Sequence, residues 1–324
     1  DLNNDGDFLD GGEQDYTTST LTSGFATFDV SPALAEGTYR MQARVSDQAG
    51  NEGTSTTQTV AVDLTAPTAT GVWVRGSTWA SGFLDHLVTL GVGHASHGYA
   101  IPVGSSDQLL TLPWFDLDRI SIAFSEDVNV AKDDLRLRGV TVTQDGFAAD
   151  PDGFSYDAVN FVATWTLDPA GKIVEPDKLL VDLGGVTDKG GIALDGDWTD
   201  GTDSYPSGNG TPGGNFQFRF NVLPGDADQS GRVLTPDWGQ IREQLFKWAG
   251  DSGYSIFYDV DGSGRILTPD WGTTRERLFD MLPIGDPAPS ASTFLWDRAV
   301  RGILPLEKVQ EMGGQAVWLS RPSS

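Results

Sequence analysis

Asp226-Ala227-Asp228-Gln229-Ser230-Gly231-Arg232-Val233-Leu234-Thr235-Pro236-Asp237-Trp238-Gly239 is repeated further along as Asp259-Val260-Asp261-Gly262-Ser263-Gly264-Arg265-Ile266-Leu267-Thr268-Pro269-Asp270-Trp271-Gly272. Both copies read D-x-D-x-S-G-x-x-x-x-x-D. A hard cation takes about six to eight oxygens at ~2.3–2.6 Å, and a twelve-residue loop can aim that many at one point. The candidate ligands are Asp226, Asp228, Ser230, the Arg232 carbonyl and Asp237 in the first copy, and Asp259, Asp261, Ser263, the Arg265 carbonyl and Asp270 in the second. Gly231 and Gly264 supply the sharp turn at the sixth position, where a side chain clashes.

A helix is predicted after each loop. Thr235 and Thr268 are expected to cap it, with Pro236 and Pro269 in its first turn. Asp237 and Asp270 then lie where the helix dipole favours negative charge, aimed back at the cation. Trp238, Ile241, Leu245 and Trp248 fall on one face of the first helix, and Trp271, Thr274, Leu278 and Met281 on one face of the second. Two such units bury only a very small core, so metal binding and folding are expected to be coupled. On this reading, removing the metal melts the two helices and spares what precedes them.

Upstream of Thr235 the pattern is different. Gly24–Val30, Thr38–Ser46 and Ser55–Asp63 read as strands, as do Ile120–Val128, Asp133–Gly139, Thr164–Leu167, Leu179–Leu183 and Asn215–Val222. Short alternating runs broken by turn residues predict a mainly β chain of sandwich type. Residues 71–115, rich in Trp and Gly, are expected to be an extended first part of the larger sandwich.

Composition sets the outer bounds. The 324 residues suit two to four domains, and 46 acidic against 21 basic residues give a net charge of -25. Such a surface repels nucleic acid and attracts divalent cations. There is no cysteine, which removes disulfides, thiolate zinc sites and cysteine nucleophiles together. No run reaches membrane-span length. No signal peptide is visible, and the chain opens at Asp1 without Met, so it is expected to be processed or part of a longer chain.

Several resemblances follow from these residues. The run Tyr39–Asn51 looks like the late strands of bacterial immunoglobulin-like domains, and Val62-Asp63-Leu64-Thr65-Ala66-Pro67-Thr68 like their inter-domain linker. Residues 70–283, through Leu194–Thr199 and Phe216–Asp226, resemble secreted planctomycete proteins that place a sheet-rich unit before a dockerin-like module. The doubled loop–helix unit itself resembles the type I dockerin module, with Ser in place of the usual Asp or Asn at the fifth position.

These resemblances imply two immunoglobulin-like β-sandwich domains (residues 1–66, lacking their opening strands, and 67–223). A small α-helical dockerin-like module (224–283) follows, then a linker and strand-like tail (284–324) with apolar runs Thr293–Trp296 and Gln315–Leu319. They also imply Ca2+ as cofactor, an extracellular, cell-surface or matrix location, and as partner either a cohesin-like protein or other copies of the chain. An opening acidic stretch, Asp1, Asn3, Asp5, Asp7, Asp10 and Glu13, resembles a third EF-hand-like loop whose last carboxylates run one residue long.

Other chemistry finds little support. His94 and His97 form H-x-x-H amid small residues, and His86 stands alone; all three read as loop histidines, with no metalloprotease motif. Neither a G-x-S-x-G, a P-loop nor a dinucleotide fingerprint is present. Trp73, Trp79, Trp114, Trp165 and Trp198 are candidates for glycan stacking, although Trp in a sandwich is usually core. Nothing singles out a carboxylate pair for glycoside hydrolysis. The expectation is a non-catalytic calcium-binding structural or assembly protein, in one form the repeating subunit of a surface fibre. The alternative is a docking module carrying a carbohydrate-binding or glycan-active β domain.

Overall fold

The computed structural model describes residues 1, 2, 5, 7, 8, 33–141, 152–167 and 176–288. The runs Gly24–Val30, Thr293–Trp296 and Gln315–Leu319 lie outside the described residues. The chain divides into two compact units at Thr65/Ala66.

The first unit is built from two antiparallel ribbons. Strand β1 (Gly37–Met41) pairs with β4 (Gln58–Val62), and β2 (Arg44–Ser46) pairs with β3 (Glu52–Thr54). The β2–β3 turn is closed by Asp47, whose carboxylate accepts from the backbone N–H of Ala49 and of Asn51. Those bonds and the Asn51 side-chain amide hold the Asp47 carboxyl below its ordinary range.

In the second unit the strands are β5 (Ala69–Gly76), β6 (Gly93–His94), β7 (Gly98–Ala100), β8 (Thr111–Leu112), β9 (Leu117–Phe124), β10 (Val128–Asn129), β11 (Leu135–Gly139), β12 (Phe154–Asp157), β13 (Val162–Thr166), β14 (Asp177–Leu183), β15 (Thr187–Asp188) and β16 (Phe216–Val222). The helices are α1 (Ser81–Thr89), α2 (Thr235–Glu243) and α3 (Thr268–Glu276). One sheet has the order β12-β13-β9-β5-β7-β6 and the other β11-β14-β16-β8. All pairings in these two sheets are antiparallel except β16 with β8.

Period-2 alternation puts Val72, Val74, Ile120, Ile122 and Trp165 of the first sheet against Leu137, Val181, Phe216, Phe218 and Phe220 of the second. The two inner faces share one core, and the unit is a sandwich. Helix α1 falls in the stretch that the sequence marks as extended. Its Phe83, Leu84 and Leu87 are buried in the same core. Their 3.6-residue spacing is the signal that the surrounding Gly and Trp obscure.

The loop–helix pair follows β16 with no linker. The N–H of Leu223 donates to Leu112, that of Gly225 to Pro113, and that of Phe115 to Val260. The indole N–H of Trp114, itself fully buried, donates to the Ile256 carbonyl at 3.0 Å. Ile256 belongs to the sandwich core, while Ala227, Ile241, Val260 and Ile266 make a small core of their own. Beyond the pair, Asp286 bonds back to Arg219 at 3.1 Å and Lys178 at 3.5 Å.

Trp114 therefore joins the sandwich to the loop pair. Trp114→Ala is expected to cost about 3–5 kcal/mol, as for other buried aromatics, read as a lower urea midpoint for the 66–288 unit.

Candidate metal centre

Each loop is shaped by its own side chains. In the first, Asp226 and Asp237 are fully buried and Asp228 is exposed. Asp226 Oδ1 and Asp228 Oδ1 both accept from the Ser230 N–H at 3.0 Å. Asp237 accepts from Asp228 N at 3.0 Å and Leu234 N at 2.7 Å. Ser230 Oγ donates to the Arg232 carbonyl at 3.1 Å, which brings the fifth and seventh positions together.

The second loop copies this. Asp259 Oδ1 and Asp261 Oδ1 share the Ser263 N–H at 2.9 Å, and Asp270 accepts from Asp261 N at 3.3 Å and Leu267 N at 2.7 Å. Ser263 Oγ donates to the Arg265 carbonyl at 3.0 Å. Gly231 and Gly264 sit at φ +84° and +80°, the left-handed turn the motif requires.

The three carboxylates of each loop converge. Asp226, Asp228 and Asp237 each offer an oxygen within 4.8 Å of the others, and so do Asp259, Asp261 and Asp270. All donors are oxygens, so the set fits a hard cation and not a thiophilic one. Burial pushes Asp226 up to about 6, Asp259 up to about 8 and Asp270 up to about 7, and it also raises Asp237. Neighbouring carboxylates add to each shift. Like charges desolvated together prefer a proton or a cation between them.

The helices begin one residue earlier than capping by Thr235 and Thr268 implies. Leu234 and Leu267 hold the extended N-cap positions, and Asp237 and Asp270 bond back to their N–H groups. They also end before the second-last turn of the expected apolar faces. Trp238 and Trp271 stack at 5.3 Å, with Ile241 and Thr274 buried, but Trp248 and Met281 lie past the helix ends and are half exposed. Those two residues serve another purpose. Trp248 bridges to Arg265 and Met281 to Arg232, so each helix exit pairs with the other copy's loop. The Arg265 guanidinium lies 3.8 Å above the Trp248 ring.

The opening acidic stretch is not gathered in this way among its described residues. Asp1 is buried and ion-paired with Arg40 at 3.3 Å, and Asp5 accepts from the Asp7 N–H at 3.1 Å. Asn3, Asp10 and Glu13 lie outside the described residues. Of the histidines, His86 is on α1 and not in a loop, edge-on to Tyr254 at 5.1 Å. His94 and His97 stack at 4.5 Å across the β6–β7 hairpin. Trp79, Trp114 and Trp165 are core, Trp198 packs among Tyr205, Phe216 and Phe218, and Trp73 is half-buried beside His97.

Sequence reasoning missed two donors. Thr111 on β8 donates to Asp226 Oδ2, and Tyr254 to Asp259 Oδ2. Neither belongs to a loop motif, and no local pattern marks them.

One comparison with known proteins bears on the first unit. Residues 7–64 match the family model of a bacterial Ig-like domain. No curated protein and no solved structure matches the chain. Among the described residues no helix is long and apolar enough to cross a membrane.

The raised carboxyls set a pH dependence. Their folded values lie above the ordinary 3.8, so between about pH 4 and 8 these carboxyls bind more protons in the folded chain than in the unfolded one. Stability is full below that window and falls as pH rises through it. In a chelating buffer the thermal midpoint is expected to drop from pH 5 to pH 8.5. Asp259→Asn is expected to flatten that drop, measured by differential scanning calorimetry.

Proposed function

We propose that this chain is a non-catalytic calcium-binding structural or assembly protein of an extracellular surface or matrix. In this reading Ig-like sandwiches precede a dockerin-like loop–helix pair, and one calcium ion sits in each loop. The observation that carries it is the duplicate convergence of three aspartates, the first and last of each loop buried. A divalent cation replaces the protons those carboxylates otherwise hold, and it offsets their mutual repulsion. Asp226, Asp228, Asp237, Ser230 and the Arg232 carbonyl would hold the first ion; Asp259, Asp261, Asp270, Ser263 and the Arg265 carbonyl the second.

Titration calorimetry on the full chain checks this. Two calcium ions are expected in the loop pair, with apparent affinity rising from pH 6 to 8 as the carboxyls lose their protons. Asp226→Ala and Asp259→Ala each remove one ion, and Asp85→Ala on α1 removes none. A chain that binds no calcium overturns the reading.

Assembly is the second half of the proposal. Phe246 and Phe279 occupy equivalent positions after α2 and α3, and both are more than two-thirds exposed, at 69% and 73%. Paired exposed aromatics of this kind support contact with another protein. Another copy of this chain is the partner we propose, joined head to tail so that contacts propagate into a fibre; a cohesin-like protein is the rival. Sedimentation velocity and electron microscopy in calcium of about 1 mM, on the order of extracellular sites, are expected to show polymers that Phe246→Ser/Phe279→Ser abolishes. Persistent monomers of the unaltered chain sink the fibre.

A further inference from the structure

We propose that Thr111 and Tyr254 are the positioning residues of the two cation sites, each fixing the first aspartate of one loop from outside that loop. This rests on the calcium reading above and adds to it which residues set the affinity of each site.

An aspartate that ligates through one oxygen needs its other oxygen held, or the carboxylate rotates away from the ion. Asp226 divides its oxygens in this manner. Its Oδ1 shares the Ser230 N–H with Asp228 Oδ1, another member of the carboxylate cluster. Its Oδ2 accepts from Gly231 N at 2.7 Å and from the Thr111 hydroxyl. The first of these donors is part of the loop motif. The second comes from the sandwich, 115 positions earlier in the chain.

Thr111 is well placed to do this. It is 1% exposed, sits on β8 opposite Asn221 of β16, and its carbonyl accepts from Gln229 of the loop at 2.9 Å. The loop is thus joined to one β8 residue through both its side chain and its main chain.

The second loop uses a different donor for the same task. Asp259 Oδ1 accepts from Ser263 N, and Oδ2 accepts from the Tyr254 phenol. Tyr254 is held by His86 of α1 and packs against both the sandwich core and the small core. The fourth position of this loop is also clamped. Its Gly262 carbonyl accepts from Ala80 N at 2.9 Å, and a Cβ on Gly262 would come within 2.4 Å of the Trp79 ring. Two loops of nearly identical sequence are therefore oriented by unlike hydroxyls, Thr in one and Tyr in the other.

The test isolates one site at a time in the full chain. In an Asp259→Ala background, which keeps the first site, Thr111→Val is expected to weaken calcium binding about tenfold. Thr111→Ser is expected to restore it, and Tyr254→Phe to leave it unchanged. In an Asp226→Ala background the pattern reverses: Tyr254→Phe weakens binding about tenfold and Thr111→Val has no effect. General loosening of the fold would lower both sites alike, so a single variant that weakens binding equally in both backgrounds overturns the assignment. Unchanged affinity of Thr111→Val in the first background and Tyr254→Phe in the second also overturns it, while the calcium reading stands. A parent chain without calcium binding overturns both.

Discussion

Three carboxylates held close together, two of them shielded from water, are unfavourable as three charges, and the second unit contains two such groups. Each loop buries its first and last aspartate. Backbone N–H groups and two hydroxyls stabilise the charges only in part, since the carboxyls still retain protons into the neutral range. In the proposed reading a cation would complete the balance, and the remainder of the unit would hold the loops in the geometry that accepts one. Sheet, helix and loop share that purpose: β8 supplies Thr111, α1 backs Tyr254 through His86, and Trp79 and Trp114 lie against the chain between and within the loops.

The helix exits extend this arrangement. Phe279 N donates to Val233 O and Val233 N to Asp280 O, while Phe246 N donates to Ile266 O and Ile266 N to Lys247 O. The two copies thus close each other through a near two-fold exchange of main-chain bonds. In the calcium reading, an ion in one loop would order the strand-like exit that supports the other, which would link the two sites. Because the loop pair shares a wall with the sandwich core, ligand free energy gained in the loops also stabilises the sheets. Residues 224–288 fall in the same compact unit as the sandwich, so loss of a metal from the loops would be expected to reach the sheets as well as the helices.

How far the sequence disclosed this depends on the range of each interaction. Loop geometry is local: glycine at the sixth position, serine at the fifth and aspartate at the twelfth act within one turn, so a single stretch of residues sufficed to find the carboxylates. Strands β9, β14 and β16 were legible for the same reason, since alternation is visible over seven or eight residues. Helix α1 was not, because a single buried face of Phe83, Leu84 and Leu87 is lost among Gly82, Gly91 and Gly93. Trp248 and Met281 fit a helical period and yet lie beyond the helices, where bridging to the opposite loop outweighed another turn. Thr111 and Tyr254 were beyond reach altogether. A hydroxyl finds a carboxylate 115 positions away only after two sheets have closed, and no spacing rule encodes that.

The absence of a linker between β16 and Asp226 also has a mechanical meaning. Tension entering at Asp286 meets the ion pairs to Arg219 and Lys178 first, and then the crossed exits of the loop pair. From there it runs into β16, whose end lies parallel to β8. A parallel pair pulled along its length loads its bonds in shear, all together, and not one after another as in peeling. Ions in the loops would stiffen the segment that lies in series with this joint. The pair of aspartate loops would thereby act as a rivet between that end and the sandwich.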